Sequence, residues 1–281
     1  MAIPIVKIEN PRGQVLDFST DSRYVAILTG TGPPPATVNR SKSSTTDGAQ
    51  FNSATVGERP LLLTVHLIKD VARARLNLYK WIATKQHIKV YYQNDGLDVY
   101  VEGYIETAEV DPWAESQTVQ ASIICPMPFW RDVKETYTDA SNVHALFELP
   151  FFTDGEGMEL SVVVPNSSTV IVNQGTVEAG VTFVVKATVQ STNPRIYNLS
   201  TGEFIGVRGT LEPGDRLEIS TATGSKRVTR IRDGVRSNFI NALMEGSKWL
   251  QMAIGANEYS YTVDEGECEL AVYHTNMYTG V

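Results

Sequence analysis

The sequence is poor in the residues from which most chemical sites are built. Its two cysteines, Cys125 and Cys268, lie far apart in 281 residues. Two thiols are too few for a disulfide framework or a thiolate metal cluster, and because each lies inside an apolar or strand-like run, both are expected as buried, reduced thiols. The four histidines, His66, His87, His144 and His274, share no ligand spacing with one another or with the cysteines, so no zinc site and no cofactor is expected. Positive charge is also short: 24 Lys and Arg face 32 Asp and Glu, a net charge of −8. With no basic patch along the chain, a surface that grips nucleic acid through its phosphates is excluded. No run approaches the roughly 18 unbroken apolar residues of a membrane span, so a soluble chain without membrane insertion is expected. The opening "MAIPIVKIEN" lacks the basic start, apolar centre and small-residue cleavage pattern of a secretory signal, which points to initial residence in the cytosol of the producing cell.

Enzyme signatures are missing as well. No G-x-S-x-G elbow, H-E-x-x-H helix or G-x-x-x-x-G-K-[ST] loop occurs, and the chain is expected not to be an enzyme. "GTGPPP" opens like a dinucleotide loop, but Pro35 stands where the third glycine belongs. "DGEGMELS" from Asp154 gathers hard oxygen donors without the alternating ligands and closing glutamate of a calcium loop, and reads as a solvated turn entering a strand.

What the chain does have is strands. "RYVAIL" (23–28), "RPLLLTVHLI" (59–68), "IKVYY" from Ile88, "DVYVEGYIETAEV" from Asp98 and "QTVQASIIC" from Gln117 are rich in β-branched residues between turn signals. Among them "IKDVARARLNLYKWI" places Ile68, Val71, Ala72, Leu78, Tyr79 and Ile82 on one helical arc. Arg75 falls inside that arc, with its stem expected to pack and its head to reach water. Pro126 and Pro128 in "CPMPFWRD" close this first, mostly β domain, and the polar stretch from Val133 to about Ala140 reads as a linker. Beyond it every signal is β: "ELSVVVP", "STVIVNQ", "VTFVVKATVQ", "PRIYN", "DRLEIS", "RVTRIRDGVRSNFI", "EYSYTVD" and "ECELAVYH" have the short, regular spacing of a sandwich. Asp233-Gly234 suits a tight hairpin turn.

Two local features are candidates for function. The stretch "GTGPPPATVNRSKSSTTDGAQ" (30–50) has three consecutive prolines and only Val38 as a sizeable apolar side chain, so it cannot build a packed element. It reads either as a disordered surface loop or as an arm that Pro33, Pro34 and Pro35 hold extended, with Phe51, Val56 and Arg59 as anchors against another surface. The second feature, "STNPRIYN" (191–198), contains the N-P-R tripeptide of the galectin sugar-binding strand. Asn193 and Arg195, with Trp249 downstream, are the candidate sugar-binding residues. Ser191 stands in place of the signature's histidine, and Trp249 sits in "SKWLQM" without the accompanying Glu and Arg.

In their order, these landmarks resemble the distal tail proteins of long-tailed bacteriophages. The resemblance runs through "DGAQFNSATVGERPLLLTVHL", the helix, three strands and "CPMPFWRD", then "IVNQGTVEAGVTFVVKATVQSTNPRIYN", "LEPGDRLEIS", "GSKWLQMAIGANEYSY" and "VYHTNMYTGV". It implies a ring-forming N-terminal domain at 1–133, a linker at 134–145 and a galectin-like β-sandwich at 146–281. It further implies a homo-hexameric ring in the virion, made in the cytoplasm of the host bacterium, that joins the tail tube protein to a tail-tip hub or tail-associated protein. A receptor-binding protein is a further implied partner, and DNA would pass through the lumen without specific binding, which the negative net charge suits. A carbohydrate-binding module is the alternative that the N-P-R strand keeps open.

Overall fold

The computed structural model describes residues 4–42, 47–94, 96–111, 113–114, 116–140, 143–145, 161–163 and 168–281. They divide into two compact units, Met1–Val133 with Met277–Val281, and Lys134–Asn276. The first unit therefore takes back five residues that the sequence reading assigns to the second domain.

The first unit contains β1 (Ile5–Glu9), β2 (Val15–Asp17), β3 (Tyr24–Thr29), β4 (Ala36–Ser41), β5 (Gln50–Val56), β6 (Arg59–Leu67), α1 (Val71–Leu78), β7 (His87–Gln93), β8 (Asp98–Val110), β9 (Thr118–Cys125) and β10 (Trp130–Asp132). An antiparallel sheet runs in the order β2-β1-β7-β8-β9-β6-β3, and β10 pairs both with β8 and with Met277–Tyr278. The period-two alternation of each strand decides its inner face. In β6 Arg59, Leu61, Leu63, Val65 and Leu67 are buried while Pro60 and Leu62 are exposed. Val90, Val101, Ile105, Val119, Ala121 and Ile123 join the same core, where each fully buried aliphatic side chain contributes about 1.5–3 kcal/mol. At Gly103 a Cβ would meet Ile123 Cγ2 at 2.7 Å and Cys125 Sγ at 2.8 Å, so the strands can pack this closely only with glycine there.

The helix is shorter than its sequence pattern. It covers the core with Ala74 and Leu78, and Ile82 follows buried, whereas Ala72 and Ile68 are exposed. Asp70 adopts left-handed backbone angles at the helix start, which breaks the arc before Ile68 can join it. Arg75 does not end in solvent alone, since its Nη1 donates to Gln117 Oε1 at 2.9 Å.

The second unit contains β11 (Thr136–Asp139), β12 (Val143–Ala145), β13 (Ser161–Val163), β14 (Ser168–Asn173), β15 (Ala179–Ala187), β16 (Ser191–Thr192), β17 (Arg195–Asn198), β18 (Glu203–Gly206), β19 (Thr210–Leu211), β20 (Arg216–Ser220), β21 (Arg227–Arg232), β22 (Val235–Asn238), β23 (Gln251–Met252), β24 (Gly255–Thr262) and β25 (Cys268–His274). The last strand, β26 (Met277–Tyr278), is the one already met in the first unit. One sheet runs β11-β25-β15-β20-β21-β22, and a second runs β14-β24-β17-β18. They pack face to face, with the Phe183 ring of the first sheet 5.4 Å from the Tyr259 ring of the second, and Tyr261 Oη donating to the Cys268 carbonyl at 2.8 Å. The expected hairpin turn forms: Asp233 and Gly234 have φ of 51° and 78°, and Arg232 pairs with Val235. Cys125 and Cys268 are buried free thiols, one in each unit.

Two readings need correction or restriction. Thr136–Asp139 lies inside the segment read as a linker, yet it is an edge strand paired with β25, its Tyr137 ring 5.1 Å from Tyr273. An edge strand needs apolar residues on one side only, so its composition imitates a linker. The acidic stretch from Asp154 lies outside the described residues, as does most of "ELSVVVP", of which Ser161–Val163 is described.

Candidate functional site

Residues 30–42 and 47–57 form an arm. Among the described residues β4 and β5 pair only with each other, from Ala36 opposite Val56 to Ser41 opposite Gln50, with a bulge between Asn39 and Arg40. The stretch thus forms an element, contrary to the reading of an unpaired loop or single extended segment. It gains pairing without packing, because every residue of both strands is exposed. Polar side chains bridge the strands, Asn39 Nδ2 to Ser53 Oγ at 3.0 Å and Ser41 Oγ to Asn52 Oδ1 at 3.3 Å. The apolar side chains Val38, Phe51 and Val56 are 54%, 64% and 49% exposed. Pro33 and Pro35 are exposed and Pro34 half-buried as the chain leaves the core toward β4.

The base of the arm is the opposite environment. Arg59, the residue where the chain re-enters the core sheet, is 0% exposed. Its guanidinium donates from Nε to the Pro128 carbonyl at 2.6 Å, from Nη1 to the carbonyls of Gly30 at 2.8 Å and Gly32 at 2.5 Å, and from Nη2 to the Thr279 carbonyl at 2.6 Å. No carboxylate pairs with it among the described residues. Burial accordingly pulls its pKa below the ordinary arginine value, while four carbonyl dipoles supply the compensation a buried cation needs. The guanidinium also lies 5.4 Å from the centre of the Trp130 ring, whose Nε1 donates to the Thr31 carbonyl at 3.2 Å.

The remaining neighbours complete the base. The Val281 amide donates to that same Thr31 carbonyl at 3.1 Å, and the Gly57 amide to the Pro35 carbonyl at 2.8 Å. A Cβ on Gly280 would stand 3.0 Å from Gly32 C and Pro33 N. One on Gly30, where φ is 86°, would stand 2.4 Å from the Pro60 carbonyl oxygen. The sequence-derived arm residues therefore separate into two sets: Phe51 and Val56 are free at the surface, and Arg59 is withdrawn into the root. The sequence does carry a sign of this, because Arg59 shares the inward parity of Leu61, Leu63 and Val65. The returning strand Met277–Tyr278 leaves no such sign.

In the second unit, Asn193 and Arg195 come together around a third residue. Asn193 Nδ2 donates to Asp264 Oδ2 at 2.8 Å, and Arg195 donates from Nη1 to Asp264 Oδ1 and from Nη2 to Oδ2. The Gly209 amide donates to Asn193 Oδ1 at 3.0 Å. Arg195 first, and Asn193 after it, hold the Asp264 carboxyl below the usual carboxylate range. Asn193 has φ of 52°, so this cluster pins a turn, and its polar groups face one another. Trp249 instead lies under Lys226, whose Nζ is 5.7 Å from the ring centre. No hydrogen bond or ring contact joins it to the cluster among the described residues. No group of three His, Cys, Asp or Glu able to hold a metal occurs among the described residues. No helix described is long and apolar enough to cross a membrane.

Comparison with known proteins bears on both units. Residues 174–278 match the family described as siphovirus-type tail component, C-terminal domain. No curated protein matches the sequence. Among solved structures, the SPP1 Dit (gp 19.1) protein, described as a paradigm of the hub adsorption apparatus in Gram-positive infecting phages, aligns with a TM-score of 0.72 at 13% identity, covering 98% of this chain and 99% of that one. A chain of the phage P2 baseplate in its calcium-activated conformation aligns at 0.56 and 10% identity over 100% of both chains. A chain of the strontium-activated phage p2 baseplate aligns at 0.54 and 11% identity, covering 97% of this chain and 98% of that one.

Proposed function

We propose, for a chain whose residues 174–278 match the siphovirus-type tail component domain, that it is a distal tail protein: a structural hub at the end of a phage tail, with no catalytic role. The observation that carries this reading is the end-to-end likeness to the SPP1 Dit fold, over 98% of this chain. In this reading the first unit builds a ring of six copies between the tail tube protein and a tail-tip or tail-associated protein. The second unit is carried on the ring as a mount for further tail proteins, a receptor-binding protein among them. The lumen passes DNA without holding it, consistent with a net charge of −8. The protein is then a virion component made in the cytoplasm of the host bacterium.

Within the ring, the arm reaches over the neighbouring copy. A two-stranded hairpin with no buried face is at best marginally stable alone, and Val38, Phe51 and Val56 are apolar groups whose contacts a second copy would supply. A sugar-binding module is the weaker reading, since Asn193 and Arg195 are engaged with Asp264. Light scattering and negative-stain microscopy of the purified protein, alone and mixed with a tail tube protein, test the ring. A particle near six times 31.0 kDa with a central hole is expected, and a monomer under both conditions overturns the proposal. Replacing residues 32–50 by a short Gly-Ser linker should leave both units folded and abolish the ring.

A further inference from the structure

We infer that Arg59 and residues 277–281 form a lock on the root of the arm, so that the arm is set for assembly only after the segment beyond the second unit has docked. The inference rests on the arm reading above. Without the lock, nothing in the arm itself fixes where it leaves the sheet: its strands are wholly exposed and, among the described residues, its ladder joins no other strand.

The lock joins positions distant in sequence. Gly30, Thr31 and Gly32 are the outgoing limb of the arm, Arg59 ends the returning limb, and Pro128 follows β9. Thr279, Gly280 and Val281 come after all 143 residues from Lys134 to Asn276. The guanidinium fork is what can bind several carbonyls at once, since its five N–H donors point in fixed directions in one plane. Two of its bonds go to the outgoing limb and one to Thr279. Thr31 is caught between Trp130 Nε1 and the Val281 amide.

Removing the tail would therefore do more than lose a short strand. It would leave one N–H of a buried cation without its carbonyl and open the side of Gly32 and Pro33 that Gly280 covers. An unmet donor on a buried charge is strongly disfavoured, and the route to relief is for Arg59 to swing toward water and release Gly30 and Gly32. The order of synthesis gives this a use. Everything needed for the sheet and the arm is made early, but the lock closes only when residues 277–281 arrive, so a chain still lacking its second unit presents a loose arm and does not enter a ring.

Hydrogen exchange on the full chain tests this directly, with two variants. Gly280→Val places a side chain against Gly32 and Pro33, and a chain ending at Asn276 removes the tail outright. In both, amides of the core sheet such as Val65 and Ile123 report that the first unit is folded. The lock predicts that the Gly57 amide, bonded to Pro35, and the ladder of β4 and β5 exchange about tenfold faster or more, with ring yield falling in parallel. Arm amides that exchange at the parent rate in the chain ending at Asn276 overturn the lock. Should that truncated chain lose the core protection as well, Gly280→Val decides by the same amides. Arm amides that loosen while rings form as in the parent uphold the lock and overturn the arm's role in ring closure, so the two ideas fail separately.

Discussion

Two hairpins of similar length in this chain are stabilised in different ways. The pair β21–β22 continues a six-strand path through β20, buries Val228, and stacks Arg230 4.7 Å over the Phe239 ring. Its turn residues Asp233 and Gly234 carry the positive φ values that match the twist of the strands. The pair β4–β5 extends no sheet among the described residues, has no buried side chain in either strand and carries a bulge in its ladder. The first hairpin is held along its whole length, whereas the second is held at its base, by a buried cation. A hairpin supported by its own domain needs no partner. One fixed only at the root presents both faces to whatever it meets.

Mutations at three positions sharpen that contrast, starting with the largest effect on stability. Arg232, the last residue before the turn, donates from Nε to Asp215 Oδ1 at 2.9 Å, and the buried Asp215 also accepts the Glu212 amide. The Arg232 hydrogen bond, above all, holds the Asp215 carboxyl below the usual carboxylate range, against the opposing effect of burial. A depressed folded value contributes stability above the unfolded value near 4, and that contribution is lost as pH falls through the folded value. Asp215→Asn should therefore destabilise the second unit by about 1.5 kcal/mol at pH 7, the low end for a charged hydrogen bond because Arg232 is partly open to solvent. Urea titrations at pH 7 and pH 3 should find the gap between parent and variant closing in acid, with arm exchange unchanged at pH 7.

Gly234→Ala forces a side chain into the left-handed region at φ 78° and should cost about 1 kcal/mol, read as a lower unfolding midpoint of the second unit alone. Phe51→Ser is expected to change the stability of the isolated chain by less than about 0.5 kcal/mol, since the ring is 64% exposed. Sizing should nonetheless show weaker rings. Calorimetry that finds a large loss in the single chain would mean that Phe51 already packs within its own subunit.

Most of the strands were legible because a half-buried strand writes its pleat into the sequence. "DVYVEGYIETAEV" is β8 from Asp98 to Val110, and the Asp233-Gly234 pair marks the turn between β21 and β22. β4 and β5 were not read as strands, because pairing two exposed segments requires no apolar alternation. Three-residue β2 went unread for want of length, and five-residue β1, whose burial alternates like that of the other strands, lies in the opening segment that was read only for a secretory signal. The root of the arm was hidden for another reason: Arg59 is held by main-chain carbonyls, which every residue possesses. An arginine that binds carboxylates leaves acidic residues to look for, while one that binds backbone leaves only its own inward parity in a strand. The return of Met277–Tyr278 to the first unit was equally unmarked, since a two-residue strand carries no period.

The even division of the thiols provides a pair of built-in chemical probes. Cys125 sits in the core of the first unit and Cys268 in that of the second. Burial pushes the Cys125 thiol up to about 12 and raises that of Cys268 as well. Alkylating reagents attack the thiolate, so each sulfur stays silent until its own unit opens. Mass spectrometry of the two labelled peptides then times the opening of each unit within one intact molecule, with no residue introduced for the purpose.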